Sequence, residues 1–114
     1  MKKIIFLLLV SVFATTAHGQ DKKSKSANYE IEVEGNCEQC KKRIEKAAFA
    51  VSGVKSAVWD VESHKLKLIL NEEKTSLEEV QKAIAKAGHD TEAVKATAAD
   101  YDNLHGCCKY ERKE

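Results

Sequence analysis

At 114 residues the chain has room for one small domain and little more, which excludes a catalytic cleft built between large domains. Its 19 lysines and arginines are nearly cancelled by 18 aspartates and glutamates, so no basic excess is available to grip a nucleic-acid backbone. Four cysteines and the absence of any proline complete the unusual features of the composition.

Residues 1–19 are expected to be a signal peptide: Lys2-Lys3, an apolar run from Ile4 to Ala14 broken only by Ser11, then small and polar residues ending Ala17-His18-Gly19. The run falls well below the roughly 20 residues a spanning helix needs, so an exported, cleaved product is expected, periplasmic if the source is a Gram-negative bacterium. Removing residues 1–19 takes away Lys2 and Lys3 and no acid, leaving 17 basic and 18 acidic side chains. Residues 20–27, rich in lysine and serine and without apolar periodicity, read as a flexible leader.

The folded unit is expected over residues 28–95. Tyr29, Ile31 and Val33 alternate with Glu30, Glu32 and Glu34, as a half-buried strand requires, and the strand runs into Gly35. Behind Cys37 and Cys40, the residues Ile44, Ala47, Ala48 and Val51 fall at helical spacing, and Gly53 suits the turn that ends the helix. Val54 to Val61 alternates less cleanly; Glu62-Ser63-His64-Lys65 makes a turn, and Leu66, Leu68 and Leu70 resume the alternation, so a hairpin is predicted. Ser76 is a plausible N-cap with Glu79 three residues on, opening a second helix that carries Leu77, Val80, Ile84 and Ala87 and stops at Gly88. A short last strand is expected at Thr91 to Lys95, and residues 96–114 form a tail with Cys107 and Cys108, which Tyr101, Leu104 and Tyr110 could anchor.

The order strand, helix, strand, strand, helix, strand predicts an α+β, ferredoxin-like βαββαβ fold, with a four-stranded antiparallel sheet carrying both helices on one face. Following the chain direction, the cysteine loop, the hairpin turn with His64 and the Gly88-His89-Asp90 turn share one end of the sheet.

Cys37-Glu38-Gln39-Cys40 thus puts two thiols at the mouth of a helix. Both soft-metal chelation and thiol–disulfide exchange need a thiolate, which a helix N-terminus and nearby cations stabilise. Lys41, Lys42 and Arg43 supply those cations on a wet helix face that could also steer an acidic partner. In an oxidising compartment four cysteines would ordinarily suggest two disulfides, but here they fall as two close pairs with none between to staple a core. For Cys107 and Cys108 three readings stand: extra thiolates folded onto a metal at Cys37 and Cys40, a vicinal or tail-to-loop disulfide, or a second soft-metal grip with His105.

Taken together, these residues resemble the heavy-metal-associated domain family of copper chaperones, mercury-binding periplasmic proteins and the N-terminal modules of metal-pumping P-type ATPases. The resemblance covers about Asn28 to Lys95 and rests on the C-x-x-C after the first strand, the Arg43-Ile44-Glu45-Lys46-Ala47 helix behind it, Ser52-Gly53-Val54, and Ala83-Ile84 with Ala87-Gly88-His89-Asp90. It implies Cys37 and Cys40 as ligands of a soft ion, passed on by thiolate exchange to a partner domain of similar shape. The chain departs from the family in its loop: only Asn36 separates Gly35 from Cys37, and the methionine usual in Gly-Met-x-Cys is missing. His89, where many bacterial relatives carry tyrosine, resembles those copper chaperones whose histidine there can join the metal.

The expected function is therefore binding of Cu(I), or of Hg(II), Cd(II) or Zn(II), by a non-enzymatic metallochaperone, buffer or transporter accessory. Its partner would be a metal-transporting membrane protein or a P-type ATPase domain, the chain acting as a monomer or a metal-bridged dimer. Cys37 and Cys40 are the ligands, with His89, Cys107 and Cys108 as further candidates; His64 reads as a solvated turn residue. The competing readings are a thiol–disulfide oxidoreductase, disfavoured by the lack of proline and of a tryptophan beside either pair, and a structural Zn(II) site of four thiolates.

Overall fold

The computed structural model describes residues 23–113, and the expected signal peptide lies outside them. The elements are β1 (Ala27–Glu32), α1 (Glu38–Phe49), β2 (Val54–Trp59), β3 (Lys65–Leu70), α2 (Leu77–Lys86) and the short α3 (Ala98–Asp102), followed by one turn of 3-10 helix at Gly106–Cys108.

β3 lies in the middle of the sheet, antiparallel to β1 on one side and β2 on the other. Its alternation is clean because one face is wholly covered: Leu66, Leu68 and Leu70 are buried while Lys65 and Lys67 are exposed. β2 alternates poorly for a local reason. The register slips between Val54 and Ser56, so Val54 and Trp59, an odd number of residues apart, are both buried.

Both main helices lay their apolar stripes on that covered face. In α1 the stripe is Cys40, Ile44 and Ala48, at intervals of four and all fully buried, so the second cysteine of the pair belongs to the core side of its helix. The Glu45 carboxylate fastens α1 to β2, accepting from Trp59 N at 2.8 Å and from Lys41 Nζ at 2.7 Å. α2 begins as its sequence predicts, with Ser76 Oγ accepting from Glu79 N at 3.2 Å, and presents Val80 and Ile84 to the core.

Among the described residues the sheet has three strands, not the four expected. Where the last strand was predicted, Thr91 makes a single bridge to Val33 and no ladder follows. Local bonds take the backbone groups a ladder would need. Thr91 N donates to Val94 O at 2.8 Å, Val94 N to Thr91 Oγ1 at 3.0 Å, Ala93 N to Gln81 Oε1 at 2.9 Å and Ala96 N to Asp90 Oδ1 at 2.8 Å. On the β1 side, Glu32 N is satisfied by the Glu92 carboxylate.

Two further segments, the described part of the leader and the tail, make contacts with the folded unit. Of the expected flexible leader, Ser24 exchanges hydrogen bonds with Glu72 through N–H and C=O, and Lys55 Nζ holds Lys25 O and Ser26 Oγ. The tail packs across the end of α2: Leu104 covers Gly88, Tyr110 is buried, and Arg112 clamps Asp90 through Nε at 3.0 Å and Nη2 at 2.7 Å. Gly88 has φ +112°, and a side chain there would collide with Leu104 at 2.7 Å.

Candidate metal centre

The loop between β1 and α1 is shaped by what lies beneath it. Trp59 is fully buried, and its Nε1 donates to Val33 O at 3.0 Å. Gly35 passes so close over it that a Cβ would stand 3.0 Å from both Trp59 Cη2 and Cys40 Cβ. Glycine is favoured here by close contact rather than by backbone angle. The loops at this end are tied to one another: Val33 N donates to His64 O and Glu34 N to Asp90 O, each at 2.9 Å.

Cys37 is the N-cap of α1, with extended backbone, and Cys40 sits in the first turn. Their sulfurs are 3.5 Å apart, and Asn36 closes the loop by presenting both its N–H and Oδ1 to Cys40 Sγ, at 3.4 and 3.3 Å. Cys108 arrives from the tail to put its sulfur 3.7 Å from Cys37 Sγ, and the sulfurs of Cys37, Cys40 and Cys108 all lie within 4.8 Å of one another. All four cysteines are free thiols.

The thiols are electrostatically unequal. Burial pushes Cys37 up, but hydrogen bonds from the backbone and thiol of Cys40, the thiol of Cys108 and the backbone of Gln39 outweigh it and bring Cys37 down to about 7. Cys40, on the buried stripe, is pushed up to about 12, chiefly by burial and against the help of Asn36 N–H. One thiolate near neutral pH, stabilised by two neighbouring thiols, is the state this arrangement favours.

The remaining candidates are placed differently. Cys107 is exposed, its thiol 3.2 Å from Gln39 Oε1 and 4.0 Å from Cys108 Sγ, outside the three-sulfur group. His89 is fully buried, with Nδ1 2.8 Å from Glu34 O and its ring stacked on Tyr110. Burial lowers its pKa, and Nε2 has no hydrogen-bond partner, yet His89 is not in the group either. His64, in the left-handed region at φ +63°, stacks on Trp59. It forms a second potential group with Glu32 and Glu34, where Lys113 Nζ pairs with both carboxylates, at 3.2 and 3.1 Å.

Sequence reasoning could not tell which tail thiol would reach the loop. The signal lies in Tyr110, two residues beyond Cys108. Its hydroxyl donates to Gly88 O at 2.8 Å and accepts from Asp90 N at 2.9 Å, so the register of the tail is pinned.

With this geometry described, comparison with known proteins is informative. The sequence pattern of the family described as "Heavy-metal-associated domain" matches residues 31–90. The copper chaperone CopZ of Staphylococcus haemolyticus is 33% identical over 64 residues, which cover 55% of this chain and 94% of that protein. Among solved structures, one described as "CopZ metallochaperone" superposes with a TM-score of 0.55 at 27% identity, covering 57% of this chain and 98% of its own. Oxidized MerP from Ralstonia metallidurans superposes at 0.56 and 27%, covering 58% and 93%. The water-soluble region of the P-type ATPase CopA from Bacillus subtilis does so at 0.55 and 26%, covering 60% and 46%.

Proposed function

The chain belongs to the heavy-metal-associated domain family, and from that premise we propose that it carries a soft metal ion, Cu(I) foremost, bound by Cys37 and Cys40. The observation that carries this reading is the pair of sulfurs 3.5 Å apart at the N-terminus of α1, one of them held down to about pH 7. Binding requires thiolate, and a soft sulfur pair prefers Cu(I), Hg(II), Cd(II) or Zn(II) over hard cations. Cys37 is only half-buried, which leaves the ion open to attack by a partner's thiolate and suits handover rather than permanent storage.

The partner in this reading is a metal-transporting membrane protein, or a P-type ATPase domain of the same fold; the likeness to the soluble region of CopA supports it. The lysine-led apolar pattern of residues 1–19 supports work outside the cytoplasm. Three sulfurs within 4.8 Å of one another would also serve a thiol–disulfide oxidoreductase, which would reduce insulin without added metal.

Titration of reduced protein with Cu(I) against a competing Cu(I) chelator tests the central reading. One tightly held ion per chain is expected, lost in Cys37→Ser/Cys40→Ser; unchanged binding in that double variant would refute it.

A further inference from the structure

Cys108 lies beyond residues 31–90, the stretch that matches the family, so the family match does not account for its position beside Cys37. It is no loose tail thiol. It is fully buried, at the end of a 3-10 turn in which Cys108 N donates to His105 O at 2.8 Å. The segment after it is held by Tyr110 on Gly88 and Asp90, and by Arg112 on Asp90 and on Ala96 O at 2.6 Å.

The sulfur spacing argues against a linear two-sulfur site. With metal–thiolate bonds of about 2.3 Å, a linear two-sulfur site needs its sulfurs about 4.6 Å apart, a planar three-sulfur site about 4.0 Å and a tetrahedral site about 3.8 Å. The observed 3.5 Å between Cys37 and Cys40, and 3.7 Å between Cys37 and Cys108, are too short for the linear site and within a small adjustment of the other two. A closed four-thiolate site lacks its fourth member, because Cys107 stands outside the group.

We propose that Cys108 is a third thiolate ligand, delivered by the C-terminal tail, that holds a soft cation in a three-coordinate site and occupies the position an incoming partner's thiolate must take. This rests on the metal-carrier reading of Cys37 and Cys40. In handover the partner's thiolate bonds to the ion as the Cys108–metal bond breaks, and the Cys108 sulfur leaves with its electron pair and takes a proton from water. The oxidation state of the ion does not change. The tail is therefore a built-in retaining ligand, and its release from the end of α2 sets how readily the cargo leaves.

X-ray absorption of the full chain loaded with one equivalent of Cu(I) counts the sulfur neighbours. Three are expected in the wild type and in Cys107→Ser, and two in Cys108→Ser. Outer-shell partners of metal ligands are worth about 10- to 100-fold in affinity, so loss of a direct ligand in Cys108→Ser should weaken Cu(I) binding at least about tenfold against a chelator. Arg112→Gln leaves every thiol in place; it should keep three sulfurs but release Cu(I) to the chelator faster. Two sulfurs in the wild type, four in the wild type falling to three in Cys107→Ser, or equal release from Arg112→Gln and wild type would overturn the proposal. Undiminished binding by Cys37→Ser/Cys40→Ser would instead remove the carrier reading beneath it.

Discussion

Tyr110→Phe isolates one hydroxyl that joins the tail to the end of α2. That oxygen donates to Gly88 O and accepts from Asp90 N, and Tyr110, Gly88 and Asp90 are all buried. Burial pushes the phenol up to about 12, against the help of Asp90 N–H, so it remains a neutral donor throughout the physiological range. The substitution keeps the ring and its stacking on His89 but leaves one carbonyl and one N–H without a partner. An unsatisfied buried group costs about 1–3 kcal/mol, so the pair should cost about 2–6 kcal/mol, toward the low end if water enters the vacated space. For a domain of this size each kcal/mol lowers Tm by about 4–8 °C, so a fall of at least about 8 °C is expected by circular dichroism. Urea unfolding should give the same loss, and native-state alkylation of Cys108 should accelerate as the tail opens. A destabilisation below about 0.5 kcal/mol, within the usual range for surface substitutions, would refute the assignment of Tyr110 as the pin.

Gly35→Ala should press a methyl group against Trp59 and Cys40, costing about 1–3 kcal/mol by overpacking and weakening Cu(I) binding as the loop shifts; an unaltered urea midpoint with unaltered affinity would contradict the contact described. The metal-free protein should lose stability in two stages as pH falls. His89 is held neutral chiefly by burial, so below the unfolded value of about 6.5 the unfolded state takes up a proton that the folded state resists, and stability declines. Asp90 is opposed by burial but held low by Arg112 and Ala96 N–H, so its contribution is present above about pH 4 and lost as pH falls through its folded value. Urea midpoints across this range should show the first decline abolished in His89→Gln, and an identical profile in that variant would show that His89 is not its source.

The strands and helices that were legible in the sequence are those whose residues face a core through their own periodicity. Leu66, Leu68 and Leu70, or Ile44 and Ala48, announce their burial by spacing alone. β2 was blurred by one register slip, which reverses the facing of every residue after it. Thr91 to Lys95 has strand-like composition, but the side chains of Thr91, Asp90 and Gln81 satisfy its backbone locally, a competition that no alternation pattern records.

The candidate site divides in the same way. Cys37 and Cys40 were determined by the sequence itself, because three residues of separation at a helix start bring two thiols to one place whatever the rest of the chain does. Their inequality follows from that same helix, which turns Cys40 into the core and leaves Cys37 at its mouth. The third sulfur was a matter for tertiary structure. Cys107 and Cys108 are neighbours, so spacing could not choose between them; the choice was made by Tyr110 and Arg112, which fasten the tail to Gly88 and Asp90 and turn Cys108 inward and Cys107 out. Periodicity specifies which way a residue faces on its own element, whereas the meeting of segments 71 residues apart depends on buried bonds made only when the whole chain has closed.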